Sequence, residues 1–451
     1  MSLSPARPQL AAKLQLVQKR PTSFVLPNAA AIAVLSAGAK VAGAVKTIVM
    51  ARMFGASSEL DWYLLTFLVV SFVSEVLCGP IVPLLVPRLV TLCQGQDEAI
   101  AQDAYMSMLR RSVAGLGSIA IGLGLLCFFA SPNPDSRVGN ILSLLPWMLP
   151  ILPLSAASNV WRAVLNANNR FKAAAGAVAL TPAITVVVLL LGHADVYRLA
   201  IATTLGSVAE ATVVCAAVAR LGWPVLGKLS ISTVPRIEFS KRQYAYLASA
   251  ALITNAAVFL NQSMAASLEA GAVAVLNFGT RLTGVLSAIG PEALAVSLLP
   301  VFSKLFFSDP PQFARSVRKV VFFSMLGATA ITGLLIVLTP LIVRVVFQHG
   351  AFQSDDAELV VVVQRLSLLQ LPFTLGIALI IRAIAAAKAN RVMVPITAVG
   401  VGINVLLSIV WMRSYSVAGL AAAGTVGQIC TFTILAIVAF HVLRAIEKPS
   451  C

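Results

Sequence analysis

The chain has 451 residues, of which 59% are hydrophobic and 11% charged, and its mean hydropathy is +0.92. Soluble domains carry about 25% charged and about 45–50% apolar residues, so this balance excludes a disordered chain and a soluble multidomain enzyme and leaves a polytopic membrane protein. The formal net charge of +16 is assigned to positively charged cytoplasmic loops rather than to nucleic-acid binding.

In chain order, the first 24 residues read as a basic cytoplasmic tail with Arg7, Lys13, Lys19 and Arg20, lacking the long apolar core of a signal peptide. A crossing helix needs about 20 mostly apolar residues for about 30 Å of hydrocarbon. Twelve spans are predicted on that basis, at about 27–54, 60–87, 105–130, 140–161, 173–192, 196–219, 244–268, 271–303, 320–347, 358–386, 392–412 and 416–442. The longest polar stretches between them fall at about 220–241 and 304–319, too short for a soluble domain. The predicted division is an N-terminal six-helix lobe over 25–222, a cytoplasmic loop over 223–241, a C-terminal six-helix lobe over 242–444 and a cytoplasmic tail over 445–451.

Charge sorting supports this count. With the N-terminus in the cytoplasm, 24 of the 33 Lys and Arg, Arg162 among them, fall in cytoplasmic tails and loops, four in outer loops (Arg137, Arg198, Arg344, Arg413) and five within spans. Retained positive charge sets orientation, and one miscounted span would invert every later loop. An internal doubling is also suggested: Gly79-Pro80 and Gly290-Pro291 lie 211 residues apart, in spans 2 and 8, and are followed by Val86-Pro87 and Leu299-Pro300. The expected fold is therefore all-α, with twelve transmembrane helices in two pseudo-symmetric six-helix lobes around a central cavity, an architecture used by transporters.

Each ionised group at mid-bilayer costs about 2.5–3.5 kcal/mol, so it faces a cavity or a partner. Lys40 and Lys46 share the first span, about 120° apart around an ideal helix, and Arg281 lies in the eighth. These three are the candidate cations of a cavity for an anionic substrate. Asp61, Glu75, Glu210 and Glu292 are the candidate counter-ions or coupling sites, with Asp61 the first choice for coupling. The plainer alternative is internal ion pairing that ties helices together. Six scattered cysteines without a CxxC pair, and three histidines without HExxH spacing, indicate no metal site and no cofactor. Gly115, Gly117, Gly122 and Gly124 sit in an apolar span without a following Gly-Lys-Ser/Thr, which points to helix packing and not to nucleotide binding. No loop is long enough for the catalytic machinery of a glycosyltransferase, so no enzyme is expected.

The stretch Lys40-Val-Ala-Gly-Ala-Val-Lys46, continuing through Ala51-Arg52-Met53-Phe54-Gly55-Ala56 to Asp61, resembles the first signature of the MurJ/MviN family within the multidrug/oligosaccharidyl-lipid/polysaccharide exporter superfamily. Three more stretches are similar to it in the same order: Leu165-Asn166 to Phe171, Arg281-Leu282 with Leu299-Pro300, and Phe347-Gln348-His349-Gly350-Ala351-Phe352 with Asp355-Asp356-Ala357. The resemblance covers roughly residues 30–440. It implies a flippase that moves an undecaprenyl-pyrophosphate-linked glycan, either lipid II-like or a polysaccharide repeat unit, across the bacterial cytoplasmic membrane by alternating access. Both termini are then cytoplasmic, and the partners are the lipid-linked oligosaccharide, membrane lipids and a glycan polymerase. The positions of Lys40, Lys46 and Arg281 match family arginines that face the cavity, and Asp61 matches a carboxylate used there. Lysine replaces arginine twice, which removes the planar bidentate fork, and Ser74 stands where another cavity arginine is expected, beside Glu75. Twelve helices instead of the family's usual fourteen suggest a shortened relative. The alternatives are an ion-coupled small-molecule exporter of the same superfamily, whose cationic substrates such a cavity would repel, and a non-transporting scaffold in envelope assembly.

Overall fold

The structure is a computed structural model that describes residues 25–94, 98–130, 136–225, 241–386 and 393–447. The predicted tail at 1–24 and most of the predicted loop at 223–241 lie outside the described residues, as does the Glu292 side chain. Every regular element among the described residues is helical. The first half of the chain contains α1 (Val25–Phe54), α2 (Ser58–Cys78), α3 (Ile81–Gln94), α4 (Glu98–Phe129), α5 (Arg137–Met148), α6 (Ile151–Ala167), α7 (Phe171–Gly176), α8 (Leu180–Leu190) and α9 (Val196–Ala219). The second half contains α10 (Lys241–Ala265), α11 (Ala272–Ser308), α12 (Pro310–Val346), α13 (Ser354–Leu368), α14 (Leu371–Ala386) and α15 (Met393–Glu447).

The chain is a multi-pass membrane protein. Among the described residues nine helical segments are long and apolar enough to cross a membrane, or ten if α5 and α6, bent by 44° at their junction, form one span. Twelve were predicted, and the difference lies at particular places. The segment expected at 271–303 lies within the continuous helix α11, where the apolar stretch counted is Ala272–Ala288 because most side chains over 289–297 lie outside the described residues. Those expected at 392–412 and 416–442 are counted together within α15, but the non-helical Ser416 (φ 50°, ψ −134°) divides that element into two helices at the expected boundary. Large apolar side chains such as Phe128 and Val337 are 79% and 73% exposed within these helices, which is the solvation that acyl chains supply and water does not.

Local chemistry sets the helix ends. The Ser57, Ser136, Asp195 and Asp309 side chains each accept a hydrogen bond from a first-turn amide of α2, α5, α9 and α12, which satisfies donors the helix leaves open. Pro310 and Pro311 start α12 where a missing N–H costs nothing. Gly79-Pro80 separates α2 from α3, as proline's missing donor favours. The corresponding Gly290-Pro291 does not break its helix, since α11 runs continuously past it, so the two Gly-Pro pairs are not equivalent in structure.

Helices of the first half pack chiefly on one another, α6 against α4 and α9, and α8 against α9. In the second half α11 packs on α13 and α14, and α10 on α15. The main helix contacts between the halves join α1 and α2 to α10 and α11. At the α1–α2 turn these contacts become polar. Asp61, 3% exposed, accepts hydrogen bonds from the Gly271 and Ala274 amides, each at 2.8 Å. A carboxylate 210 residues away thus caps the N-terminus of α11, where the helix dipole also favours negative charge. Beside it the Ala351 amide donates to the Arg52 carbonyl at 2.9 Å. Gly55 (φ 59°) makes this approach possible, because a Cβ there would lie 2.5 Å from the Ala351 carbonyl oxygen. Phe347 and Phe352 close the same end by packing on Phe278 at centroid distances of 5.5 and 5.8 Å.

The clamp yields a stability prediction. Asp61→Ala leaves two amides without their acceptor and is expected to cost about 2–4 kcal/mol, read as a lower unfolding midpoint of the detergent-solubilised protein. Asp61→Asn keeps one acceptor oxygen and should lose about half as much. An unchanged midpoint for Asp61→Ala would show that the clamp contributes nothing.

Candidate functional site

A cavity of about 450 Å³ lies inside the first half and is closed on one side by α11 of the second. Its walls come from one face of each of several helices. On α2 they are Tyr63, Phe67, Ser71, Ser74 and Glu75; on α6 they are Ser155, Ser158, Asn159 and Arg162, at the i, i+3, i+4, i+7 spacing of one helical stripe. α1 contributes Gly43 and Lys46, α8 and α9 contribute Thr181 and Glu210, and α11 contributes Asn277 and Arg281. Three cations and two carboxylates therefore share one low-dielectric space.

Their partners differ. The Lys46 ammonium donates to the Tyr63 hydroxyl at 2.8 Å and lies 3.5 Å from the Thr203 hydroxyl. Thr203 donates in turn to the Leu199 carbonyl at 2.9 Å, so the 2.8 Å contact between the two hydroxyls is a bond from Tyr63 to Thr203. The Phe67 ring centre is 5.2 Å from the ammonium, within cation–π range. Every one of these groups is neutral. No carboxylate lies within ion-pair distance of Lys46 or Arg281 among the described residues. The Arg281 guanidinium lies against α1 at Gly43, where a Cβ would come within 2.5 Å of its Nη2, and its Nε is buried without a hydrogen-bond partner. Arg162 is different: it pairs with Glu210, whose second oxygen accepts from the Thr181 hydroxyl at 2.8 Å. With that pair internally neutralised, the charges left facing the space are Lys46, Arg281 and the exposed Glu75.

The predicted residues are thus only partly brought together. Lys46, Arg281, Glu75 and Glu210 line one cavity. Lys40 is not in its lining: Ala39, Gly43, Lys46 and Met50 form the face of α1 turned to the cavity, and Lys40 lies about 100° round the helix from Ala39. Asp61 is also outside the lining, held by the α11 amides. Arg162 corrects the sequence-based charge sorting: it was counted among cytoplasmic-loop cations, yet α6 carries it on the cavity face. The stripe from Ser155 to Arg162 was the available signal, since polar residues at helical spacing in an apolar span mark an inward face. Ser74, in the place of an expected arginine, lines the cavity and donates to Ser155 at 2.7 Å.

The sequence profile of the family described as Lipid II flippase MurJ matches residues 50–448. Among solved structures, a lipid II flippase MurJ in an inward closed conformation is 17% identical, with a TM-score of 0.73 over 92% of this chain and 89% of that one. An inward-facing multidrug resistance transporter of the MATE family, in the MOP superfamily, is 13% identical, with a TM-score of 0.70 over 93% and 96% of the two chains. A MOP superfamily transporter from Pyrococcus furiosus, described for the reversed polarity of its binding pocket, is 13% identical, with a TM-score of 0.64 over 93% and 96%. At these identities the structural likeness establishes the fold.

The Arg162–Glu210 pair is testable on its own. Its side chains are 22% and 14% exposed, so removing one partner should cost about 2–3 kcal/mol, less than a fully buried pair. Arg162→Ala should lower the unfolding midpoint more than the Arg162→Ala/Glu210→Ala double variant does. Additive losses in that cycle would mean the two charges do not stabilise each other.

Proposed function

The chain belongs to the lipid II flippase MurJ family, and we propose that Lys46 and Arg281 hold the pyrophosphate of the lipid-linked glycan that it translocates between membrane leaflets. The observation that carries this is the convergence of two cations from opposite halves on one cavity, with no carboxylate at ion-pair distance among the described residues. An uncompensated cation costs several kcal/mol to bury, and a diphosphate offers the charge and the acceptor oxygens that offset this cost. Arg281 supplies donors in a planar fork; Lys46 supplies a point charge aimed by Tyr63 and Thr203. A cationic drug, the substrate class of the superfamily's exporters, would meet two like charges there.

The remaining features are assigned on the same footing. The halves over 25–222 and 242–444 act as the two bodies of alternating access, with both chain ends in the cytoplasm of a bacterial cell and the α1–α2 turn at the outer face. The Asp61 clamp then belongs to the outer closure and keeps the cavity shut on that side. Glu75, exposed in the cavity, is the carboxylate placed to couple a cation or proton to the cycle, in the role first given to Asp61. A glycan polymerase would consume the product on the outer side.

Reconstituted vesicles test the central claim. Lys46→Ala and Arg281→Ala each remove a charge-assisted contact of about 1.5–3 kcal/mol, which corresponds to roughly tenfold to hundredfold weaker binding of lipid II and a matching loss of translocation. Parental translocation by the Lys46→Ala/Arg281→Ala double variant would exclude these cations from the mechanism. Gly43→Ala is expected to shift the Arg281 head and weaken lipid II binding, with little change in the unfolding midpoint. If Gly43→Ala binds as the parent does, the seat of Arg281 on α1 is not needed.

A further inference from the structure

A second cavity, of about 360 Å³, lies within the second half, and no charged side chain lines it among the described residues. Its size falls in the range of small-ligand pockets. The carboxamides and hydroxyls of its lining are carried by α10, α11, α13, α14 and α15, with Gln370 in the turn between α13 and α14. Some of these groups are mutually satisfied: Asn261 donates to Asn404 at 3.3 Å, and the Ser408 hydroxyl behind them lies 3.0 and 3.1 Å from their carboxamide oxygens. Others are not. The side chains of Gln262, Gln370 and Gln428 face the space without a hydrogen bond to the rest of the described chain. The Thr283 hydroxyl, in a side chain only 2% exposed, has no partner either.

Unpaired polar groups at membrane depth each cost about 1–3 kcal/mol and persist where a ligand or water meets them. The chemistry of the lining narrows that ligand. An anion would find no cation, a cation no carboxylate, and an apolar group would leave the amides unpaired. Carboxamides and hydroxyls both donate and accept, which matches a group dense in hydroxyls and acetamides. The position adds a second constraint. Leu276 and Thr280 face this cavity while Asn277 and Arg281 face the cationic one. One step along a helix turns about 100°, so the two cavities lie on adjacent faces of α11.

We infer that the second cavity receives the uncharged carbohydrate of the lipid-linked substrate while the first holds its pyrophosphate, an inference that rests on the flippase reading above. The two halves then share one substrate, with the charged part on the first half's side of α11 and the neutral part on the second's. Specificity for the glycan belongs to the second half alone.

Two lipids separate the two cavities: undecaprenyl pyrophosphate, and the same lipid bearing a disaccharide. Binding of each to the full chain in nanodiscs is measured for Gln370→Leu/Gln428→Leu, for Thr283→Val and for Lys46→Ala/Arg281→Ala. The glutamine variant should bind the disaccharide lipid about tenfold more weakly and the bare lipid as the parent does. Thr283→Val should show the same selectivity and unfold no earlier than the parent, because it loses a hydroxyl that has no partner. Equal weakening for both lipids, or none for either, overturns the inference. The cation variant should weaken both lipids; parental binding of both by it would bring down the flippase reading itself, a result distinct from the first.

Discussion

The Asp61 carboxylate, accepting the first amides of α11, is the constraint on which the rest of the site depends. Open helix ends inside a membrane must find partners within the protein, and here the partner comes from the other half of the chain. Arg281 lies ten residues beyond Gly271 on the same helix, about 15 Å along its axis. Fixing the start of α11 against α2 therefore fixes where Arg281 meets Gly43 of α1. The distance between Lys46 and Arg281 is set at the clamp as much as in the cavity. The sequence signatures around Arg52–Asp61 and Phe347–Phe352 meet at this one place, which gives them a structural reason independent of any contact with substrate.

Within the cavity the charges divide by partner. Arg162 and Glu210 satisfy one another across α6 and α9 and tie two helices of the first half together. Lys46 is oriented by a directed chain of neutral hydroxyls that ends on the Leu199 carbonyl, which aims the ammonium without cancelling it. Arg281 is seated by a missing side chain at Gly43. The first arrangement stabilises the fold, while the other two keep positive charge available.

Much of this was legible in the sequence, and the exceptions have definite causes. Apolar runs of about 20 residues identify crossing helices because hydrocarbon thickness is fixed, and charges inside such runs single out Lys46, Arg281, Glu75 and Glu210, which line one cavity. The Ser416 break falls at the boundary drawn between two apolar runs, where Arg413 interrupts them. Asp61 was read as a coupling group because its partners are backbone amides, and a backbone amide leaves no mark in a sequence. Lys40 was grouped with Lys46 by proximity along the chain, although helical geometry turns it to another face. Arg162 was assigned to a loop because it sits near the end of an apolar run, where a span boundary and a helix boundary need not coincide. The uncharged cavity of the second half gave no warning at all, because single Gln and Thr residues spread over four helices form no motif.

The Arg52–Ala351 contact has a consequence for how this protein is mapped by mutation. Its two hydrogen-bonding atoms belong to the main chain, so truncating either side chain leaves the bond in place. Conventional scanning by side-chain removal would score the junction as silent. It becomes visible only when bulk is added, at Gly55 or Gly350, so a map built from deletions alone would miss the seam where the two bundles are fastened.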